Sequence, residues 1–250
     1  MPEARLIVEG QSTPAFEHPG AQNMAIDEAL LHSAHKEQLT TLRFYSWKPA
    51  TLSLGYFQKF ADRSCHPPSQ SCDIVRRASG GGAILHDREL TYCFATPTKD
   101  RFGDAEEYYL AFHETLVELL AEQGVTAELH NADHGLSNNA FLCFQRRASN
   151  DVTCDGHKIA GSAQRRWKRG LVQHGSLLLE QSRYAPELPG LRNLTSLQMS
   201  TELLIHTWTE KLGSRLNLEF KPTRMTDNET RQMDQWTKEK FLCAEWTEKR

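Results

Sequence analysis

The chain has 250 residues, 39% of them hydrophobic, and a formal net charge of −3 at pH 7. That length suits one large domain, or a domain with a small appendage, around a real core; the near-neutral balance gives no electrostatic case for nucleic acid or an anionic membrane surface. No apolar run approaches the roughly 20 residues that span a bilayer, and the opening MPEARLIVEG has no apolar signal-peptide core, so a cytoplasmic protein is expected. The cysteines at 65, 72, 93, 143, 154 and 243 lack CxxC spacing and read as free thiols. Cys65-His66 with Cys72 lacks the second ligand pair of a structural zinc site, so no metal is expected.

Leu6-Ile7-Val8 reads as a first strand or a lead-in. Asn23 to His35 follows as a helix with Met24, Ile26, Ala29, Leu30 and Leu31 at helical spacing, Asn23 as N-cap, and packing as its expected role. Thr41 to Gln58 gives two strands joined near Pro49; the Gly55-Tyr56 step at its end is either a bend or a place where backbone approaches a ligand. Phe60 to Cys72, with Pro67-Pro68, reads as a surface loop.

Asp73 to Thr96 reads DIVRRASGGGAILHDRELTYCFAT, strands interrupted by Gly80-Gly81-Gly82. Glycine N–H groups can point at an anion or a carbonyl, and Arg76 and Arg77 beside them suit an anion; the alternative is a flexible turn. Neither GxxxxGK[ST] nor GxGxxG occurs, which excludes a P-loop or a Rossmann turn. His86-Asp87 is either a helper pair or a turn held by a side-chain hydrogen bond. Asp104 to Gly124 is an amphipathic helix capped by Asp104 and stopped by Gly124, Val125 to Leu129 a short strand, and Asn131 to Asn139 a polar loop. Beyond Glu180 the pattern changes: Ser200 to Leu216 and Thr226 to Glu248 look helical. The expected organisation is an α/β body over residues 1–182 and a small, mainly helical segment over 183–250 packed on it.

The most informative stretch begins at Cys143-Phe144 and runs through a polar loop to GHKIAGSAQ, a turn at Lys168-Arg169-Gly170, and LVQHGSLLL. The two runs read as a β-hairpin. Strict alternation puts Lys158, Ala160, Ser162 and Gln164 on one face, and Gly161 leaves the surface low enough for a ligand. A thiol and an ammonium facing one groove suit acyl transfer, because the thiolate is the nucleophile and a nearby cation favours it. Cys143 is thus a nucleophile or a buried structural thiol, Lys158 its partner or a solvated lysine, and His174 a proton carrier or a structural histidine. Cys93, Cys154 and Cys243 are better explained by packing.

The segments NMAIDEALL, TLRFYSWKPATLSLGYFQ, RRASGGGAILHDRELTY, Cys143-Phe144, GHKIAGSAQRR and LVQHGSLLL cover about residues 20 to 180. Together they resemble the lipoate–biotin protein ligase superfamily, and within it the cysteine-dependent octanoyltransferases of the lipoate-ligase-like branch. The resemblance implies a mixed, largely antiparallel sheet flanked by helices. It also implies an octanoyl-Cys143 thioester, with Lys158 at the acyl carbonyl and no cofactor. Substrate would be bound by Arg76, Arg77, Ser79, Gly80, Gly81, Gly82, His86, Gly161, Ser162, Ala163 and His174. The implied donor is octanoyl-acyl carrier protein. The implied acceptor is a lipoyl carrier domain, such as the glycine cleavage H protein or a 2-oxoacid dehydrogenase E2. His86-Asp87 is not followed by the Gly-Asn of the ATP-using ligases, which with Cys143 favours the transferase. Gln145-Arg146-Arg147 and Cys93 depart from the family's usual residues and bear on substrate identity. Three rivals remain at this stage: an ATP-dependent lipoate–protein ligase, an amidotransferase between carrier domains, and a non-catalytic binder of acylated carriers.

Overall fold

The computed structural model describes residues 1–9, 18–98, 103–131 and 140–250, with side chains from residue 105 in the third segment. In chain order the elements are β1 (Glu3–Val8), α1 (Gly20–Lys36), β2 (Thr41–Tyr45), β3 (Thr51–Leu54), β4 (Asp73–Arg76), β5 (Ile84–His86), β6 (Glu89–Pro97), α2 (Gly103–Glu122), β7 (Ala127–Leu129), β8 (Val152–Cys154), β9 (His157–Trp167), β10 (Gly170–Leu178), α3 (Leu191–Leu194), α4 (Thr201–Leu216), β11 (Glu219–Pro222), α5 (Asp227–Trp236) and α6 (Ala244–Thr247).

The main sheet has the order β11-β1-β2-β6-β10-β9-β8-β7 and a smaller one the order β4-β3-β5. In the main sheet β1 pairs in parallel with β11 and β2, and all other pairings are antiparallel. The mixed, largely antiparallel sheet expected from the resemblance is therefore present. Helices α2 and α4 cover one face. Fully buried Trp208 of α4 stands on Phe44, Tyr92 and Phe112; truncating such a ring to Ala costs about 3–5 kcal/mol. Helix α1 covers the other face and packs against α5. Because α1 is enclosed on nearly all sides, its buried residues include the polar Asn23, Asp27 and Glu28.

Two readings are corrected here. Asn23 is not an N-cap: α1 begins at Gly20, and the Asn23 amide lies inside it, donating to the carbonyls of His18 and Ser46. The tail after residue 182, expected to be mainly helical, also contributes a strand, and its last helix is not continuous. β11 extends the main sheet at β1, and the helix expected over Thr226–Glu248 is broken into α5, a π turn at Thr237–Phe241, and α6. Thr226 and Glu229 form a capping box at the start of α5. The Asp104 side chain, on which the expected cap depends, and most of the polar loop before Cys143 lie outside what is described. No described helix is long and apolar enough to cross a membrane.

Candidate active site

A pocket lies between the β9–β10 hairpin, the glycine loop and the turn that carries Cys143. Met24, Tyr45, Trp47, Ile84 and Phe144 give it apolar walls. Cys143 opens a short 3-10 turn, Cys143–Gln145, and is half-buried. Its main chain is stitched to the residue after the glycines: Ala83 N donates to Phe141 O at 3.0 Å and Cys143 N to Ala83 O at 2.7 Å. A Cβ on Gly82 would lie 3.0 Å from Cys143 Cα, so only glycine lets these two segments close this tightly.

Lys158 reaches the thiol by a route that alternation does not predict. Thr153 pairs with Lys158 but Val152 pairs with Ala160, so Ile159 is an extra residue in β9. Such a bulge reverses the face of what precedes it. Lys158 therefore does not share a face with Ala160, Ser162 and Gln164. Its chain runs over Gly161, where an added Cβ would meet Cε at 2.5 Å. Nζ ends 3.8 Å from Cys143 Sγ. The hydroxyl of Ser162 and the amide of Gln164 face α2 instead, bonded to Tyr92 and His113 and to Ala105 O and Gln173 respectively.

The lysine is not free. Asp151 Oδ2 is 2.7 Å from Nζ, and both side chains are almost wholly buried. Asp151 also accepts from Ala148 N at 2.7 Å and from the Tyr109 hydroxyl at 3.2 Å. Asp151, the counter-charge of Lys158, lies in the polar loop and was not singled out in the sequence. The signal was available in principle, because a buried ammonium needs a counter-charge. Beneath it, burial lowers the His113 pKa to about 4, leaving a neutral ring between Asn150 O and Ser162.

The two arginines before the glycines part company. Arg76 turns away from the pocket and donates to the carbonyls of Gly55, Tyr56, Gln58 and Thr247. Arg77 lines the pocket; it donates to Ser53 and, through Nη2, to the carbonyls of Gly80 and Gly82, both at 2.9 Å. With those carbonyls held by Arg77, the N–H groups of Gly80, Gly81 and Gly82 have no hydrogen-bond partner among the described residues. Arg77 has no carboxylate partner there either, and burial lowers its pKa to about 10, opposed by attraction to Cys143.

On the far wall, His174 Nε2 lies 2.5 Å from Ser79 Oγ and its Nδ1 lies 3.1 Å from Asp27 Oδ2. Asp27 is held in turn by Arg43 and Tyr45. His86 stacks on Trp47 at 3.8 Å and is fixed by Ser53 and Glu89, not Asp87, which accepts from Ser182; burial depresses its pKa and keeps it neutral. The pocket thus gathers Cys143, Arg77, Gly80, Gly81, His86, Gly161, Ser162, Ala163 and His174 on its wall, with Lys158 against the thiol. Gly82 lies behind Cys143, Ser79 behind His174, and Arg76 outside. Among the other thiols, burial pushes Cys72 up to about 11 and raises Cys93 and Cys154. Among the described residues no group of three or more His, Cys, Asp or Glu is placed to hold a metal; both ring nitrogens of His66 are bonded, to Ser69 and Glu187.

A thiol, an ammonium and free backbone N–H groups around an apolar slot are parts that suit acyl handling. Known proteins with similar chains agree. The family model described as "Lipoyl protein ligase A/B catalytic domain" matches residues 19–188, and the chain belongs to that family. An octanoyltransferase LipM of Clostridioides difficile (strain 630) is 33% identical, covering 93% of this chain and 96% of the relative. The octanoyltransferase LipM of Bacillus subtilis (strain 168) is 27% identical, covering 98% of each. Among solved structures, protein Ta0514 of T. acidophilum with bound lipoic acid superposes with a TM-score of 0.79 at 20% identity, over 98% of this chain and 99% of that one. The bi-partite lipoate protein ligase of Thermoplasma acidophilum, studied with its E2 lipoyl domain, gives 0.77 at 20% identity, over 99% and 97%. At such identity the structures speak for the fold alone.

Proposed function

We propose that Cys143 carries the acyl group as a thioester in the reaction of this chain, which is an octanoyltransferase of lipoate biosynthesis. The observation that carries the proposal is the 3.8 Å approach of Lys158 Nζ to Cys143 Sγ at the rim of an apolar pocket. The Cys143 thiolate attacks the carbonyl carbon of an octanoyl thioester, the bond to the donor sulfur breaks, and the donor leaves as a thiolate that takes up a proton. The amine of a lysine on a lipoyl carrier domain then attacks octanoyl-Cys143. The amide forms, Sγ departs as thiolate, and the amine's proton goes to solvent or a nearby base.

Lys158 and Asp151 together are close to neutral, so the pair acts as a dipole with its positive end at the thiol. Arg77 adds a second, unpaired buried cation on the same wall. The free N–H groups of Gly80 and Gly81, on the pocket wall, suit the oxyanion that both steps develop; one such donor is worth roughly 10²–10³ in rate. The apolar walls suit the octanoyl tail, at roughly 0.8 kcal/mol per buried CH₂. Octanoyl-acyl carrier protein is the donor of this scheme, and the H protein or an E2 lipoyl domain the acceptor.

Incubation with octanoyl-acyl carrier protein followed by intact mass measurement tests it. One octanoyl adduct is expected on the wild-type chain and none on Cys143→Ala. An adduct that persists in the variant sinks the assignment.

A further inference from the structure

The geometry that places a cation at Cys143 also endangers its thioester. Lys158 Nζ lies 3.8 Å from Sγ, and the carbonyl carbon of an octanoyl-Cys143 thioester is bonded to that sulfur. Reacting atoms attack from about 3–3.5 Å, and a well-oriented group held there acts at an effective concentration of up to about 10⁵–10⁸ M. A neutral amine at this place would outcompete a carrier lysine arriving from solution. Nor can it swing aside. The side chain is 4% exposed. A Cβ on Gly161 would meet Lys158 Cε at 2.5 Å and Nζ at 2.7 Å, so the chain lies pressed onto its own strand.

One group opposes the reaction. Asp151 Oδ2 is 2.7 Å from Nζ, and the Asp151 side chain is only 2% exposed. Taking the proton from Lys158 would leave that carboxylate buried without its cation, which is costly. The other groups around the amine are the thiol, the Phe144 ring at 5.3 Å, and His113 and Tyr109 of α2. His113 is neutral and the Tyr109 hydroxyl donates to Asp151, so neither stands in for the carboxylate. An ammonium has three donors and no lone pair with which to attack.

We propose that Lys158 is a latent self-acylation site, an internal competitor for the octanoyl group, and that Asp151 keeps it silent by holding it as an ammonium. The proposal rests on the acyl-transfer reading above. In the suppressed reaction the Lys158 nitrogen attacks the thioester carbon, a C–N bond forms and the C–S bond breaks. Sγ leaves as thiolate and takes up the proton that the amine gives up. The products are an octanoyl amide on Lys158 and a free Cys143 thiol. An incoming amine does not reverse an amide, so one such event ends turnover. Asp151 thereby lets one thioester distinguish two primary amines, the chain's own and the carrier's.

The test loads the full chain from octanoyl-acyl carrier protein with no acceptor present, ages the acyl-enzyme, and treats it with neutral hydroxylamine, which cleaves thioesters and spares amides. Wild type should lose its adduct. Asp151→Asn should keep most of it, on Lys158 by peptide mass mapping, and should lose transfer to a lipoyl domain in step. Adding Lys158→Arg to that variant should abolish the resistant adduct. An Asp151→Asn adduct that stays labile overturns the proposal and leaves the Cys143 reading standing. So does a wild-type adduct that turns resistant as fast as the variant's. Should Asp151→Asn fail to fold or to load, wild type aged from neutral to about pH 11, past the reference value of a lysine amine, carries the test. Resistant octanoyl on Lys158 that climbs with pH supports the proposal, and none overturns it. If wild type forms no adduct at all, the acyl-transfer reading fails and this proposal fails with it.

Discussion

Two hydrogen-bonded chains flank the pocket, and both contain an acid, a base and a hydroxyl or thiol. One runs Asp151–Lys158–Cys143 and the other Asp27–His174–Ser79. By residue type alone the histidine chain would be the more reactive, since it has the makings of a serine triad. Its hydroxyl, however, belongs to a residue only 3% exposed and absent from the pocket wall, whereas Cys143 is half-buried and on it. Proximity of the right groups is therefore not enough. The nucleophile must also reach a space that substrate can enter, and the acid–base chain behind it must be aimed there. Asp27 has further work, since it takes bonds from Arg43 and Tyr45 in the core. The histidine chain ties α1 to the glycine loop, and the lysine chain ends at the pocket wall.

Substitutions can break this contrast. Cys143→Ala should reduce octanoyl transfer by roughly four orders of magnitude or more, whereas Ser79→Ala should still form the acyl-enzyme, as read by intact mass. Next in size, Asp151→Asn leaves a buried ammonium unpaired. Its cost should be about 3–5 kcal/mol in urea unfolding, together with slower acylation because Lys158 is no longer aimed. Asp27→Asn should cost less, about 1–3 kcal/mol, because Arg43 retains Glu9; its acylation rate should stay within about tenfold of wild type.

The contrast can also be sharpened through pH. His113 has its pKa lowered to about 4 in the fold, from 6.5. The unfolded chain therefore binds more protons between those values. The contribution of neutral His113 to stability is complete above about 6.5 and is lost progressively as pH falls towards about 4. His113→Asn should flatten that part of the stability profile, measured by thermal unfolding from pH 4 to 7.

The sequence disclosed elements where one signal dominated. The hairpin was legible because LVQHGSLLL and KIAGSAQ flank a glycine turn, and α2 because its apolar residues recur without interruption. That Cys143 and Lys158 face each other was legible from residue type and motif, and the two lie 3.8 Å apart. What stayed hidden depended on distant partners. Nothing local marks Asp151 as the counter-charge of Lys158, or separates the fates of Arg76 and Arg77, neighbours whose guanidiniums are claimed by carbonyls on opposite sides. Strand β11 is four residues long and mostly exposed, so it carries no alternating pattern; only its pairing with β1 makes it a strand.

One extra residue, Ile159, decides which layer of the protein the Lys158 side chain enters. Deleting it would restore plain alternation and swing the ammonium into the compartment of Tyr92 and Phe112. That single position acts as the hinge pin that no trimmed or grafted version of this hairpin can omit.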